Sequence, residues 1–160
     1  MTLILLDERV DHGPILAQRE FTMTSDYNYD KLCRALASLG AETLIDVLPK
    51  FIKGEIRPTP QNHAEATYTK KFTVDDAFVD FEDLKNAIEG QSLEKAREIE
   101  RKIMALNPEP GVWTITKEAL FGLPKEKRVK LLESVVEDER LILKKVQVEG
   151  KTPLRINSKS

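Results

Sequence analysis

The sequence predicts an α+β fold in which a strand hairpin and a long helix precede a linker, two further helices and a small β-module. Three patterns lead to this prediction. Residues 2–6 and 15–21 lie on either side of a Gly-Pro turn and contain the apolar runs Leu3–Leu6 and Ile15–Leu16, which is typical of a hairpin of buried strands. Leucines and other apolar residues then recur at helical spacing over residues 27–52. From residue 111 onward the pattern becomes that of β-strands.

The long helix has recognisable ends in the sequence. Ser25 or Asp26 is the predicted N-cap, because a short polar side chain there can accept a hydrogen bond from a free backbone N–H. Gly54, which follows a basic last turn, is expected to end the helix. Gly40 marks either a break or a point of close packing. Cys33 is expected to be a small buried residue on this helix.

A linker is predicted over residues 58–80. Pro58 and Pro60 are incompatible with regular structure there, and the segment that follows is polar. The chain is therefore expected to divide into residues 1–57, the linker, and a C-terminal domain over residues 81–160.

The C-terminal domain is predicted to begin with helical residues 81–106. Gly90 and Gln91 separate two helical segments, and Ser92 is the predicted cap of the second. The run that begins at Asn107 contains two prolines and a glycine, so it is expected to stop the helix and turn the chain.

The β-module is predicted to contain three or four strands. Residues 112–115, 128–136 and 141–148 have the composition of strands, and the short link at residues 137–139 makes the last two a hairpin. Trp113 is expected to cover the small core that these strands form.

Composition excludes several classes of protein. No apolar run approaches the roughly 18 residues of a membrane helix, and no signal peptide is recognisable, so we expect a cytoplasmic protein. Cys33 is the only cysteine, which excludes an internal disulfide and a cysteine-based zinc cluster, and no metal site is predicted.

Charge is divided unequally along the chain. Residues 1–100 contain 12 Lys/Arg and 19 Asp/Glu, a formal −7, whereas residues 101–160 contain 13 and 8, a formal +5. The sum is the net charge of −2. A basic C-terminal part is suited to a polyanion, because neutralising phosphates releases counterions. A solvated surface of mixed sign explains the same composition.

The turn between the two N-terminal strands is the candidate site. Asp11 and His12 precede Gly13 and Pro14, and the apolar runs on both sides would hold the turn at the end of a sheet. The local pattern leaves two interpretations open. It is either a site built around the carboxylate or an ordinary polar hairpin tip with common turn residues.

Four blocks of sequence resemble the methionyl-tRNA formyltransferases. They occur in the order of that family and extend over nearly the whole chain. The blocks are Asp11-His12-Gly13-Pro14-Ile15-Leu16 with Gln18; Pro60-Gln61 with Ala66-Thr67-Tyr68 and Lys71; Asn107-Pro108-x-Pro110-Gly111-x-Trp113-Thr114; and Val146-Gln147-x-x-Gly150-Lys151-x-Pro153.

The resemblance implies a fold and an activity. Residues 1–57 would be the end of a Rossmann-like catalytic domain, and residues 81–160 a reduced version of an OB-like C-terminal domain. The family transfers a formyl group from 10-formyltetrahydrofolate to the amino group of methionyl-initiator tRNA. By resemblance, Asp11 is the catalytic aspartate, and Gly13 and Pro14 support its turn.

One departure from the family is large. The family's catalytic asparagine and histidine lie upstream of the aspartate, and only ten residues precede Asp11. His12 occupies a variable position and is not expected to substitute. We therefore expect this chain alone to be inactive. Two explanations are open. Either this is the C-terminal portion of a formyltransferase whose folate-binding half was removed by truncation or is carried by a separate chain, or the protein is a freestanding relative with a binding role only.

The resemblance also predicts basic residues that would contact initiator tRNA through its phosphates. The candidates are Lys70, Lys71, Lys127, Arg128, Lys130, Lys144, Lys145 and Lys151. Two alternatives remain: a non-enzymatic OB-like tRNA- or RNA-binding module, and another folate-dependent formyltransferase or a formyltetrahydrofolate hydrolase. The blocks that begin at Asn107 and Val146 favour the tRNA enzyme over the second alternative.

Overall fold

The computed structural model describes residues 1–119 and 122–156. It divides into two units, Met1–Lys70 and Lys71–Ser160, here called the N-terminal and C-terminal units. Helices and small antiparallel sheets make up the described residues, so the predicted α+β class is confirmed. None of the helices within these residues is long and apolar enough to cross a membrane.

The N-terminal unit begins with a two-stranded ribbon. Strand β1 (Thr2–Ile4) pairs antiparallel with β2 (Ile15–Gln18). Both strands are shorter than predicted, and their apolar side chains are half-buried, whereas the sequence predicted buried strands. The reason is that the ribbon consists of two strands packed on one helix, which leaves it without further strands or a second layer among the described residues.

Helix α1 (Tyr29–Ile52) begins later than predicted. Its N-cap is Asn28, whose side chain accepts a hydrogen bond from the backbone N–H of Lys31 at 2.9 Å. The prediction of Ser25 or Asp26 was wrong by two to three residues, since Asp26 instead accepts a hydrogen bond from Thr24. The predicted end is confirmed: Lys53 is the C-cap, and Gly54, with a positive φ of 75°, follows it.

Only a short stripe of α1 is buried. Its buried residues are Gly40, Thr43 and Val47, which lie between the middle of the helix and its last turns. Gly40 is a close packing point, because a Cβ there would lie 2.6 Å from the Met1 methyl carbon. Cys33 lies in the first half and is exposed, so the prediction of a buried cysteine was wrong. The periodicity identified the apolar face of the helix, but it did not show how much of that face other residues bury.

Helices α2 (Phe81–Glu89) and α3 (Leu93–Leu106) begin the C-terminal unit's regular structure. Ser92 is the N-cap of α3, as predicted, and Gly90 ends α2 with a φ of 77°. Their buried faces join the sheet in one apolar core.

Four antiparallel strands form the sheet of the C-terminal unit. They are β3 (Trp113–Ile115), β4 (Arg128–Glu137), β5 (Arg140–Val148) and β6 (Leu154–Arg155), in that order across the sheet. Asp138 and Glu139, both with positive φ (46° and 63°), connect β4 to β5. This is the two-residue turn that suits the twist of a hairpin, and it confirms the predicted pairing.

The last residues of the predicted linker are part of this core. Ala77 and Val79 are buried, and their backbones bond to both sides of Trp113. The Trp113 N–H donates to the Ala77 carbonyl at 3.1 Å, and the Val79 N–H donates to the Trp113 carbonyl at 2.9 Å. The segment therefore lies along the outer edge of β3.

The Asn107 side chain joins three elements of the C-terminal unit. Its amide donates to the carbonyls of Ile103 in α3 and Leu131 in β4, at 3.0 and 2.8 Å. Its oxygen accepts a hydrogen bond from the Val112 N–H at 3.2 Å. The pairing of β4 with β5 shifts register just after Leu131, so the contact lies where the regular ladder is interrupted.

Replacing Asn107 should therefore destabilise the C-terminal unit. We expect Asn107→Ala to lower the free energy of unfolding by about 2 kcal/mol, because partly buried backbone groups lose their partners. Asn107→Asp retains the acceptor for Val112 but removes both donors, so we expect at least as large a loss. Urea denaturation measures both effects.

The matched control is Gln91→Ala, which truncates an exposed amide in the same unit. A change within about 0.5 kcal/mol is expected for it. Equal effects of Asn107→Ala and Gln91→Ala would contradict this role of Asn107.

Candidate functional site

The turn that contains Asp11 is closed by close backbone contact. Gly13 is buried against the backbone of Leu5, and a Cβ at this position would lie 1.6 Å from the Leu5 carbonyl oxygen. The Leu5 N–H donates to the Pro14 carbonyl at 2.9 Å. Asp11 itself has a φ of 54°, a conformation that aspartate tolerates better than most residues. Only glycine fits at position 13.

A second segment, residues 59–65, holds the turn from the other side. Thr59 and Ile15 exchange two backbone hydrogen bonds of 2.8 Å. The Gln61 amide donates to the carbonyls of Asp11 and Gly13, at 2.9 and 2.6 Å. Two of the sequence blocks, 48 to 50 residues apart, therefore meet in space. We call residues 59–65 the clamp segment.

The Asp11 carboxylate is exposed, and it has no hydrogen-bond or ion-pair partner within residues 1–119 and 122–156. Its backbone is fixed by Gln61, whereas its side chain is available for a group from elsewhere. The structure thus contains a carboxylate presented on a well-supported turn. His12 does not pair with it.

His12 is paired with another carboxylate. Its Nδ1 lies 2.6 Å from Oδ2 of Asp7, and both side chains are about one-third exposed. This hydrogen bond, helped by the Arg9 backbone N–H, holds the pKa of Asp7 below its ordinary value of 3.8. The favourable contribution of the Asp7 carboxylate is therefore present above pH 3.8 and is lost as the pH falls through the lowered pKa.

His63 of the clamp segment stacks on the ring of His12. The rings of His12 and His63 are nearly parallel, with an angle of 4° and centroids 3.7 Å apart. His63 begins a short 3-10 helix (His63–Glu65) that Asn62 caps. Sequence reasoning gave His63 no role, because an isolated histidine carries no signal of a partner 51 residues away.

The predicted tRNA-binding cations fall into two groups. Three of them make ion pairs: Lys71 with Glu109 at 3.9 Å, Lys144 with Glu137 at 3.7 Å, and Lys145 with Glu133 at 3.3 Å. The others have no ion pair to a described residue; they are Lys70, Lys127, Arg128, Lys130 and Lys151. The second group is better suited to bind phosphate, because its charge is not already neutralised.

Arg128 and Lys130 lie on the outer face of the sheet. The Arg128 guanidinium carbon is 4.0 Å from the centre of the Trp113 ring, a cation–π contact. Lys130 is flanked by Trp113 on one neighbouring strand and Gln147 on the other. A concavity of about 250 Å³ opens beside them, also bordered by residues 147–150. The sequence indicated these cations but not the tryptophan beneath one of them.

Trp113 also covers part of the core, as predicted. It lies against the core, and its indole N–H donates to the Val74 carbonyl at 2.9 Å. Lys70 and Lys71 are both exposed in the connecting segment, at the division between the two units.

Comparison with known proteins identifies the class of this fold. The family described as formyl transferase, C-terminal domain, matches residues 93–141, which include α3, β3 and β4. The C-terminal unit is therefore similar to this domain over residues 93–141.

Proteins with similar sequences include methionyl-tRNA formyltransferases of several bacteria. The protein of Roseiflexus sp. (strain RS-1) is 36% identical over 119 residues, which cover 74% of this chain and 33% of the relative. That of Kosmotoga olearia is 38% identical over 125 residues, covering 76% and 37%. That of Bartonella tribocorum is 32% identical over 134 residues, covering 84% and 38%.

The chain is thus related to methionyl-tRNA formyltransferases over most of its own length, and the resemblance inferred from its motifs is confirmed. The matched part spans only 33–38% of the length of these relatives.

The Gly13 contact gives a test of the turn. Gly13→Ala should force the turn away from Leu5, and we expect a loss of about 3 kcal/mol or more in the stability of the N-terminal unit, since backbone atoms must move. Amide hydrogen exchange at Ile15 and Thr59 measures this loss directly.

Gly54→Ala is the matched control. Gly54 also has a positive φ, but nothing lies within 4 Å of a Cβ added there. A cost of about 1 kcal/mol is expected from its backbone conformation alone. If both alanine variants lost the same protection, steric contact at Gly13 would not be what holds the turn.

Proposed function

We propose that this chain is the C-terminal part of a methionyl-tRNA formyltransferase and acts in translation initiation in the cytoplasm. In this proposal the complete enzyme transfers a formyl group from 10-formyltetrahydrofolate to the amino group of methionyl-initiator tRNA. The observation that carries the proposal is the free Asp11 carboxylate on a turn held by Gly13 and Gln61. All three residues belong to the blocks that resemble the family.

Formyl transfer between two nitrogens makes three chemical demands. The attacking amine must lose a proton, the tetrahedral oxyanion must be stabilised, and the folate nitrogen must leave protonated. An exposed carboxylate with a fixed backbone can hold an imidazole or a water molecule by charge-assisted hydrogen bonds. We assign this role to Asp11. Gly13 and Pro14 act through the turn and are positioning residues.

The other catalytic groups would come from polypeptide outside these 160 residues. By resemblance they are an asparagine and a histidine of the folate-binding half, supplied by the same gene or by a separate chain. An unpaired Asp11 carboxylate suits a site completed from outside. About two-thirds of the length of these relatives lies outside the aligned part, which is enough for such a domain.

The apolar surface of the N-terminal unit supports docking of that half. Leu44, Leu48 and Ile52 recur every four residues along α1 and are 42–75% exposed. Leu6 and Val10, beside the Asp11 turn, are 89% and 92% exposed. A two-stranded ribbon on one helix is a small core, so a covering domain would add much of the burial that this unit lacks.

The outer face of the C-terminal sheet is the tRNA surface in this proposal. Arg128 and Lys130 border the concavity and have no carboxylate partner among the described residues. They would contact the phosphate backbone, which positions the tRNA without reading its bases. Lys127 and Lys151 are further candidates in the C-terminal unit, Lys70 and Lys71 are exposed candidates in the connecting segment, and the paired Lys144 and Lys145 contribute less.

A binding module without enzymatic activity is the second candidate. The same face favours it, because Trp113 and Arg128 together resemble the aromatic and basic surfaces on which OB-like domains bind RNA. A module of this kind would bind RNA equally well with or without a folate-binding half. The enzyme hypothesis requires that half for turnover.

The decisive experiment measures formyl transfer with and without the missing half. The purified chain alone should give no turnover above background. A fusion with the N-terminal part of a related methionyl-tRNA formyltransferase should be active, and Asp11→Asn in the fusion should lower kcat by roughly 10²–10⁴-fold, the usual contribution of acid–base assistance.

Glu8→Gln provides the control, since it neutralises an exposed carboxylate in the same loop. We expect it to leave kcat unchanged. A fusion whose Asp11→Asn and Glu8→Gln variants are equally active would remove Asp11 from the mechanism. Turnover by the unfused chain would refute the need for a second half.

The tRNA surface can be tested by reversing charge. The double variant Arg128→Glu with Lys130→Glu should weaken tRNA binding at least tenfold at low salt and reduce the slope of log K against log salt by about 2, because two phosphate contacts are lost. Filter binding over a salt series measures both quantities.

Arg97→Glu with Arg101→Glu is the matched control. It makes the same change in net charge on exposed positions of α3. An equal loss of affinity in the two double variants would mean that overall charge, rather than the sheet face, governs binding.

A further inference from the structure

The clamp segment contacts the Asp11 turn at three successive points. Thr59 pairs with Ile15 through the backbone, and Gln61 donates two hydrogen bonds to the carbonyls of the turn. His63 then stacks on His12. The first two contacts involve groups that do not titrate. The third joins two imidazoles, the side chains whose ordinary pKa of about 6.5 lies closest to neutrality.

The imidazole pair can hold one proton comfortably. His12 already lies 2.6 Å from the Asp7 carboxylate, so a proton on His12 forms an ion pair. A cationic ring over a neutral aromatic ring is also attractive. The stack is therefore compatible with the neutral and the singly protonated states.

A second proton changes the sign of the interaction. Two cationic rings with centroids 3.7 Å apart repel each other, and among the described residues only one carboxylate, that of Asp7, forms a hydrogen bond with the pair. The closed arrangement thus accepts one proton readily and resists another. When the clamp segment moves away, His63 becomes solvated and can bind its proton without this repulsion.

We propose that residues 59–65 are a proton-operated clamp on the Asp11 turn, closed when the His12–His63 pair holds at most one proton and released when both rings are protonated. This inference concerns the N-terminal unit alone and does not depend on the proposed function. The open state binds more protons than the closed state, so lowering the pH favours opening.

Other charged groups near the pair do not alter the direction. The loop of the turn carries Asp7, Glu8, Arg9 and Asp11, and the clamp segment carries Glu65. Carboxylates ordinarily titrate near pH 4, below the range in which the histidines gain protons. Asp7, the one in contact with the stack, has its pKa lowered further, so it remains charged throughout that range.

Release of the clamp would act on the presentation of Asp11. Along the clamp segment, Gln61 lies between Thr59, which pairs with Ile15, and His63, which stacks on His12. Its side chain fixes the carbonyls of Asp11 and Gly13. If His63 separates from His12, the Gln61 contacts lose the support of one neighbour. His63 is thus a positioning residue for the turn, and its effect depends on pH.

The experiment uses the complete chain and two measurements. Nuclear magnetic resonance follows the ring protons of His12 and His63 from pH 5 to 8. Amide hydrogen exchange at Ile15 and Thr59, corrected for the intrinsic pH dependence of exchange, reports whether the clamp is closed.

In the wild type, protonation of one ring should oppose protonation of the other, so the ring signals of the two histidines should change as a coupled pair. Protection at Ile15 and Thr59 should fall by up to about tenfold per pH unit over the range in which the second proton binds.

His63→Phe is the matched variant, because it retains an aromatic ring for stacking but cannot bind a proton. Its protection should be independent of pH over the same range. His63→Ala should lose protection at every pH.

Two results would overturn the proposal: ring signals of the two histidines that change independently of each other, or equal pH dependence of protection in the wild type and His63→Phe. If His63→Phe fails to stack, the coupled titration of the wild type still decides. None of these readouts involves formyl transfer, so failure of the clamp and failure of the proposed function are distinguishable.

Discussion

The constraint on which the C-terminal unit depends is the satisfaction of backbone groups where its sheet is irregular. Strand β4 shifts register after Leu131, and a ladder interrupted at that point leaves carbonyls without strand partners. The Asn107 amide supplies the missing donors from the end of α3 and also accepts the Val112 N–H. One side chain therefore links the end of α3, the irregular part of β4 and the residue that precedes β3.

The Asp11 turn is stabilised by the same physical device. Gln61 donates to the carbonyls of Asp11 and Gly13, which the short ribbon cannot pair. The amide side chains of two family-like blocks, Asn107 and Gln61, thus form hydrogen bonds to backbone groups. Their role is structural rather than catalytic. Asp11 differs from both, because its carboxylate forms no hydrogen bond or ion pair with any of the described residues. A polar residue of a motif without a structural partner is the best candidate for a functional one.

The sequence predicted the features that depend on local pattern. The helix ending at Gly54, the cap at Ser92 and the hairpin between β4 and β5 were all predicted because a few neighbouring residues determine them. The exposure of Cys33 was not, since periodicity shows which face is apolar and not whether anything covers it. The stack of His63 on His12 was missed because the contact joins positions far apart in sequence, and neither residue has a pattern around it.

The two units differ in how completely they bury their apolar residues. The C-terminal unit surrounds a continuous core of helix and sheet residues, whereas α1 buries only Gly40, Thr43 and Val47 along its 24 residues. Burial of apolar surface is the main favourable contribution to folding, so the N-terminal unit has less of it to offset the loss of chain entropy. Its turn therefore depends more on individual polar contacts, and the loss of a single contact there opens a larger fraction of molecules. In this unit, a modest repulsion between the two stacked imidazoles is enough to change how firmly the Asp11 turn is held.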